Sequence, residues 1–216
     1  MNQNLTEVVF ILDRSGSMEP LTEETIGGFN SLIEKQKGEE GDAAVTLVLF
    51  DDEYEVVYDH VPISEVKRLT KKEYYARGCT ALLDAAGRTL TQVGKRLAET
   101  REEDRPGHVV VIITTDGYEN ASREYTKPQV RQMIERQRDV YKWKFMFLGA
   151  NIDAVSEADS LGIRPCMTAS YSPTSAGVGS TFRAMDKVIG FMRANDGTWD
   201  DEEETCLFEE AMKEVK

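Results

Sequence analysis

Residues 8–18 read VVFILDRSGSM. The five apolar residues from Val8 to Leu12 run on without a polar interruption, the pattern of a strand buried on both faces in a parallel sheet under helices. The run ends on Asp13. The loop that follows places oxygen-bearing side chains at alternate positions, Asp13, Ser15 and Ser17, with Gly16 free to take a tight bend between them. Pro20 suits the first turn of a helix, and Ile26, Phe29, Leu32 and Ile33 then recur at helical spacing. Buried strand, ligand-bearing loop and helix together form the first unit of an α/β fold.

The alternation continues along the chain. Residues 43–50 (AAVTLVLF) and 55–61 (EVVYDHV) are two strand-like runs joined by residues 51–54, a spacing that predicts a hairpin and an antiparallel edge on the sheet. Asp51 and Asp52 read as an acidic surface turn and not as a second metal site. Leu82, Leu83, Ala86, Leu90, Val93 and Leu97 mark one face of a helix with Thr80 at its N-terminus. Residues 108–115 (HVVVIITT) form the most hydrophobic strand and deliver Asp116 to its C-terminal end. A helix over 128–140 and a strand over 144–148 follow. A short helix over 153–161 closed by Gly162, a last strand over 164–169, a Ser/Gly/Thr-rich loop over 170–180 and a helix over 181–193 complete the pattern.

The expected fold is α/β: a doubly wound, mostly parallel sheet with helices on both faces and one antiparallel edge strand. Ligands of such sheets collect beyond the C-terminal strand ends, the edge to which Asp13, Asp116 and the loop before Thr80 belong.

A chain of 216 residues, 40% hydrophobic and 30% charged, suits one well-buried core. We read residues 1–195 as that domain and 196–216 as an acidic tail with room for a short helix. The run Asp200, Asp201, Glu202, Glu203 and Glu204 predicts a mostly solvated tail. The alternative is that Leu207, Phe208 and Met212 dock it on its own domain, offering a glutamate to a metal. A formal net charge of −13 repels nucleic acid and anionic membranes and favours protein or cation partners. No apolar stretch approaches the roughly 20 residues that span a bilayer. The N-terminus lacks the basic segment of a signal peptide, so a cytoplasmic location is expected. Cys79, Cys166 and Cys206 are an odd, scattered set, which speaks against a disulfide framework or a structural zinc site. Cys79 reads as a small buried side chain, and His60 and His108 as packing or surface residues.

The oxygen donors at the sheet edge are hard ligands. Mg2+ demands nearly octahedral oxygen coordination and keeps several waters, so a few protein oxygens suffice, with Mn2+ or Ca2+ as substitutes. The hydroxyls of Ser15, Ser17 and Thr80 are neutral, so a metal that meets Asp13 and Asp116 through water retains much of its charge and seeks one further anion. A Glu or Asp carboxylate from a protein partner would supply it. The rim of such a site would be Arg14, Met18, Glu19, Arg77, Tyr118, Glu119 and Asn120.

These residues resemble the metal-ion-dependent adhesion site (MIDAS) of von Willebrand factor A (VWA) domains, a family that includes many bacterial intracellular proteins. Its pattern is a D-x-S-x-S loop after the first strand, a Thr in a later loop and an Asp after the fourth strand. Here ILDRSGSM, GCTAL and ITTDGYEN supply those parts through Asp13, Ser15, Ser17, Thr80 and Asp116. The resemblance runs from about residue 7 to residue 195. It implies a Rossmann-like fold and a magnesium-dependent protein-binding module, for adhesion or scaffolding and without catalysis.

Two rivals stand beside it. A phosphotransferase of the haloacid dehalogenase type also places an aspartate after the first strand with Mg2+, but needs a second acid two residues on, where this chain has Ser15. No phosphate-binding glycine loop and no nucleophile elbow is present. The second rival is a scaffold in which the metal only fixes loops.

Overall fold

The computed structural model describes residues 1–194 and 201–215. Among them six strands form one sheet in the order β3-β2-β1-β4-β5-β6: β1 (Asn2–Asp13), β2 (Asp42–Phe50), β3 (Tyr54–Pro62), β4 (Pro106–Thr115), β5 (Lys144–Ala150) and β6 (Thr168–Tyr171). Only β3 runs antiparallel, paired with β2 at the sheet edge. The other pairings are parallel. The expected fold class holds in each of these respects.

Helices α1 (Thr22–Gln36) and α5 (Ser175–Ala194) pack together on one face, and α2 (Leu82–Glu99) and α3 (Lys127–Tyr141) on the other, while the short α4 (Ala154–Ser160) links β5 to the turn before β6. Between these layers Val8 to Leu12 are at most 1% exposed, which is why the run carries no polar residue. The α1–α5 contact is close because Gly28 lacks a side chain: a Cβ there would stand 2.2 Å from the Phe182 ring. The strand order reverses between β1 and β4, so the sheet's switch point lies between the two strands that end near Asp13 and Asp116. Register makes this concrete, since Leu12 pairs with Thr114 and both chains leave the sheet at the same level.

The second half departs from expectation in three places. Residues 175–180 are helix, not loop. The Thr174 hydroxyl accepts the Gly177 N–H (3.1 Å), and the Ser180 and Thr181 hydroxyls donate to the Gly177 carbonyl (2.7 and 3.0 Å), so these side chains bond within the helix they begin. Gly177, Ser180 and Thr181 are buried, and their small size is a packing surface and not a loop signature. The last strand is displaced to Thr168–Tyr171, because Pro165 has no N–H for a ladder and opens a 3-10 turn instead. The tail docks on the domain by one face: helix α6 (Asp201–Met212) buries Phe208, Ala211 and Met212, while Glu202, Glu203, Glu209 and Glu210 stay exposed. Phe208 lies beside Trp143, Phe145 and Met167, where β5 and β6 begin, the end of the sheet opposite Asp13. The described tail residues therefore do not bring a glutamate to the metal loops. The boundary drawn at residues 195 and 196, and Asp200, fall outside the described residues.

A buried charge cluster also braces β1. The Glu7 carboxylate, wholly buried, accepts hydrogen bonds from Thr46 (2.8 Å) and Arg96 (2.7 Å) and meets His60 Nδ1. Removing one partner of a buried ion pair strands the other charge. Arg96→Met is expected to cost about 3 kcal/mol, read as a lowered urea midpoint with an unchanged m-value.

Candidate metal centre

The loop after β1 is shaped by its own first residue. Asp13 Oδ1 accepts the Ser15 N–H (2.6 Å), and the Met18 N–H closes on the Ser15 carbonyl (2.9 Å) to start a 3-10 turn over Gly16–Leu21. Backbone bonds from Gly16 to the Gly78 carbonyl (3.2 Å) and from Arg77 to the Arg14 carbonyl (2.9 Å) staple this loop to the one carrying Thr80. That approach requires glycine at position 78: its φ is +65° and a Cβ would fall 1.7 Å from Asp52 Oδ1. The Thr80 loop is then stitched to the loop after β4, since the Thr80 N–H donates to Asn120 Oδ1 (2.9 Å) while the Asn120 N–H donates to the Thr80 carbonyl (3.0 Å).

The expected ligands converge. Ser17 Oγ donates to Asp116 Oδ1 at 2.5 Å, Ser15 Oγ lies 3.2 Å from Ser17 Oγ, and Thr115 Oγ1 donates to Asp13 Oδ2 at 2.7 Å. Thr80 Oγ1 faces Gly117, 3.6 Å from where a Cβ would stand. Asp13, Ser15, Thr80 and Asp116 are buried and Ser17 is exposed, so the cluster opens to solvent on the Ser17 side.

Burial withdraws water from both carboxylates. It pushes the Asp13 carboxyl from its ordinary 3.8 up to about 6, against the hydrogen bonds from Thr115 and Ser15 that pull it down. Asp116 is likewise raised, mainly by burial. Tyr74 and Tyr171 line the same region, their hydroxyls raised by burial and by the nearby aspartates. Tyr74 spends its proton on the Asp13 main-chain carbonyl (2.6 Å).

The one basic side chain in the loop turns away. Arg14, fully buried, donates to Asp51 (2.9 Å), to Glu55 (2.6 Å) and to the Glu73 carbonyl (3.3 Å). Asp51 also takes Arg77 Nε (2.8 Å), so it is a wholly buried anion between two guanidiniums and not part of a surface turn. The sequence hides this because Arg14 and Asp51 are adjacent only in the sheet, each at the end of its strand.

This donor set suits a small hard cation. Two desolvated carboxylates and the serine and threonine hydroxyls gather there without a lysine or arginine bonded to either carboxylate among the described residues, and short hydroxyl–carboxylate bonds hold them together. Among the described residues no group of three or more His, Cys, Asp or Glu stands together to hold a metal, so a cation here would rest on the two carboxylates and the hydroxyls.

The expected rim is only partly a rim. Glu19 and Tyr118 are exposed, Tyr118 accepting the Asp153 N–H (3.2 Å), and Arg77 stands at the edge with Asp51 and Glu53. Met18, in contrast, is 2% exposed and belongs to the core. Glu119 faces inward, its carboxylate accepting the N–H groups of Leu83, Ala121 and Ser122, which fixes its own loop and satisfies the start of α2. Cys79 is exposed rather than buried. Two supporting residues escaped the sequence reading: Thr115, whose only signal is its place before Asp116, and Tyr74, which has none.

Comparison with known proteins agrees with this fold. The profile of the von Willebrand factor type A domain matches residues 7–162. A von Willebrand factor type A structure from Catenulispora acidiphila superposes with a TM-score of 0.53 at 19% identity, over 84% of this chain and 42% of that one. Proximal thread matrix protein 1 of the mussel byssus gives a TM-score of 0.58 at 13% identity, over 86% and 46%. The chain thus spans less than half the length of these solved structures, and at such identities they speak to the fold. No curated protein matches significantly. The match over most of the chain, on the fold and the edge just described, shows that this chain belongs to the von Willebrand factor type A domain family, whose members are in general protein-interaction modules.

Proposed function

We propose that the domain binds one divalent cation, Mg2+, through Asp13, Ser15, Ser17, Thr80 and Asp116, and uses it to hold a carboxylate of a protein partner. The observation that carries this reading is the pairing of two buried aspartates, neither of them bonded to a lysine or arginine among the described residues, with three hydroxyls in a cluster open at Ser17. When bound, the metal supplies a positive charge with coordination to spare. Asp13 and Asp116 furnish the anionic charge, and the serine and threonine hydroxyls complete the cage without neutralising it. Asn120, Thr115 and Glu119 hold the three loops in place.

The role is non-catalytic. Ser15 stands where a phosphotransferase would need its second acid. Among the described residues no helix is long and apolar enough to cross a membrane. The free cysteines Cys79, Cys166 and Cys206 suit a reducing compartment, and on that ground we propose a cytoplasmic location.

The test compares wild type with Asp116→Ala for capture of partners from native lysate, with Mg2+ and with chelator. Loss of capture with a melting temperature within a few degrees of wild type supports metal-bridged binding. Loss of folding would instead make the metal a structural staple, and metal-dependent phosphate release from a generic ester would restore the enzyme.

A further inference from the structure

At the end of the sheet opposite the metal loops, α2 and α3 diverge over the first residues of β4 and leave a groove of about 470 Å³. Its floor is apolar: Leu90 and Leu97 from α2, Val109 from β4, Met133 from α3, and Trp143. From α3, Met133, Arg136, Gln137 and Tyr141 face it at helical spacing, and Val140 falls on the same stripe. Val140 is 65% exposed and Tyr141 54%, so the apolar surface continues beyond the groove onto open protein.

The charge around this groove reverses that of the molecule. In a chain of net charge −13, the lining contains Lys95, Arg105 and Arg136 and no aspartate or glutamate. Arg105 donates to the carbonyls of Thr100 (2.8 Å) and Ala98 (3.2 Å), so its charge is not cancelled by those partners. Lys95 reaches Glu99 only at 3.9 Å, both side chains being exposed, a pair that contributes little.

We propose that this groove docks an acidic amphipathic segment of a partner protein, an apolar ridge lying on Leu90, Leu97 and Met133 and its carboxylates meeting Lys95, Arg105 and Arg136. A groove between two helices over an apolar floor takes a third helix by its apolar face, and the cationic rim selects acidic over basic partners. The site is separate from the metal centre. It begins where β4 begins, roughly 30 Å along the strand from Asp116 at about 3.3 Å per residue. The domain would thus hold two partners at opposite ends.

The probe is a synthetic, fluorescein-labelled helical peptide with Leu and Phe at i, i+3, i+4 and i+7 and Glu elsewhere, titrated against the full chain by anisotropy. A control peptide carries Lys in place of Glu. Saturable binding of the acidic peptide, weakened about tenfold by the double change Lys95→Glu and Arg136→Glu and by raised salt, is expected. Ala98→Trp, which fills an exposed groove position without touching the core, should also abolish it at an unchanged melting temperature. Chelator should leave it unaltered, which separates this result from the fate of the metal reading. Equal binding of the Lys peptide overturns the proposal. So does insensitivity to both variants, or a concentration-dependent dimer dispersed by the charge reversal, which would give the groove to a second copy.

Discussion

Asp13→Asn is expected to make the metal-free protein more stable at pH 7.5 while abolishing its response to magnesium. The reason is the cost of holding a carboxylate out of water. A carboxyl raised from 3.8 to about 6 on folding contributes its full stability below pH 3.8, where both states are protonated, and loses it as pH rises through 6. The loss amounts to about 3 kcal/mol at neutral pH for this group alone. Asparagine avoids that cost and can still accept the Ser15 N–H. Urea unfolding of both proteins from pH 4 to pH 8, with and without Mg2+, reads this directly. Wild type without metal should weaken across that range and recover with magnesium above pH 6, its apparent affinity for the ion falling as protons compete below that point. The variant should show a flatter profile and no magnesium effect. A wild-type profile that rises from pH 4 to pH 8 in chelator would overturn the assignment of Asp13 as a desolvated ligand.

The second large effect is expected at Asp51. Its carboxylate is the common acceptor for Arg14 and Arg77, one on the loop bearing Ser15 and Ser17 and the other on the loop bearing Thr80. Asp51→Ala leaves a fully buried guanidinium at Arg14 with Glu55 as its remaining anion. The cost should be about 3–5 kcal/mol, the usual result of removing one member of a buried pair. Because the lost contact joins two ligand loops, magnesium affinity should fall with stability although Asp51 is not a ligand. Arg77→Ala, at the exposed edge of the same cluster, should cost under about 1 kcal/mol. Calorimetric titration of Mg2+ beside denaturant melts distinguishes the two. An Asp51→Ala protein of wild-type stability would refute the bridging role.

The fold was legible because the elements that decide it are locally marked. Continuous apolar runs such as Val8 to Leu12 and Val109 to Ile113 have little choice but the centre of a covered sheet, and a hairpin spacing identified the one antiparallel strand. The candidate ligands could be picked out because loops at strand ends carry their chemistry in short strings, and the structure brings those loops to one edge. What failed to show was whatever depends on a distant partner. Asp51 looks like any turn aspartate until the sheet brings Arg14 beside it, and Glu119 looks like a rim acid until the N–H groups of Leu83, Ala121 and Ser122 take its charge. Ser175 to Thr181 look like a loop because small polar residues are common to flexible segments and to tightly packed helix starts. Local composition does not separate those cases.

The parallel pairing of β1 with β4 has a mechanical meaning. Their hydrogen bonds run from Thr6 and His108 up to Leu12 and Thr114, and the loops bearing Asp13 and Asp116 leave from the same end. A pull transmitted through a partner at that end, resisted by anything gripping the opposite end, would act along both strands. Tension so directed runs along both backbones and does not unzip their ladder rung by rung. The two strands that present the aspartates thus lie along the direction of a load applied to them.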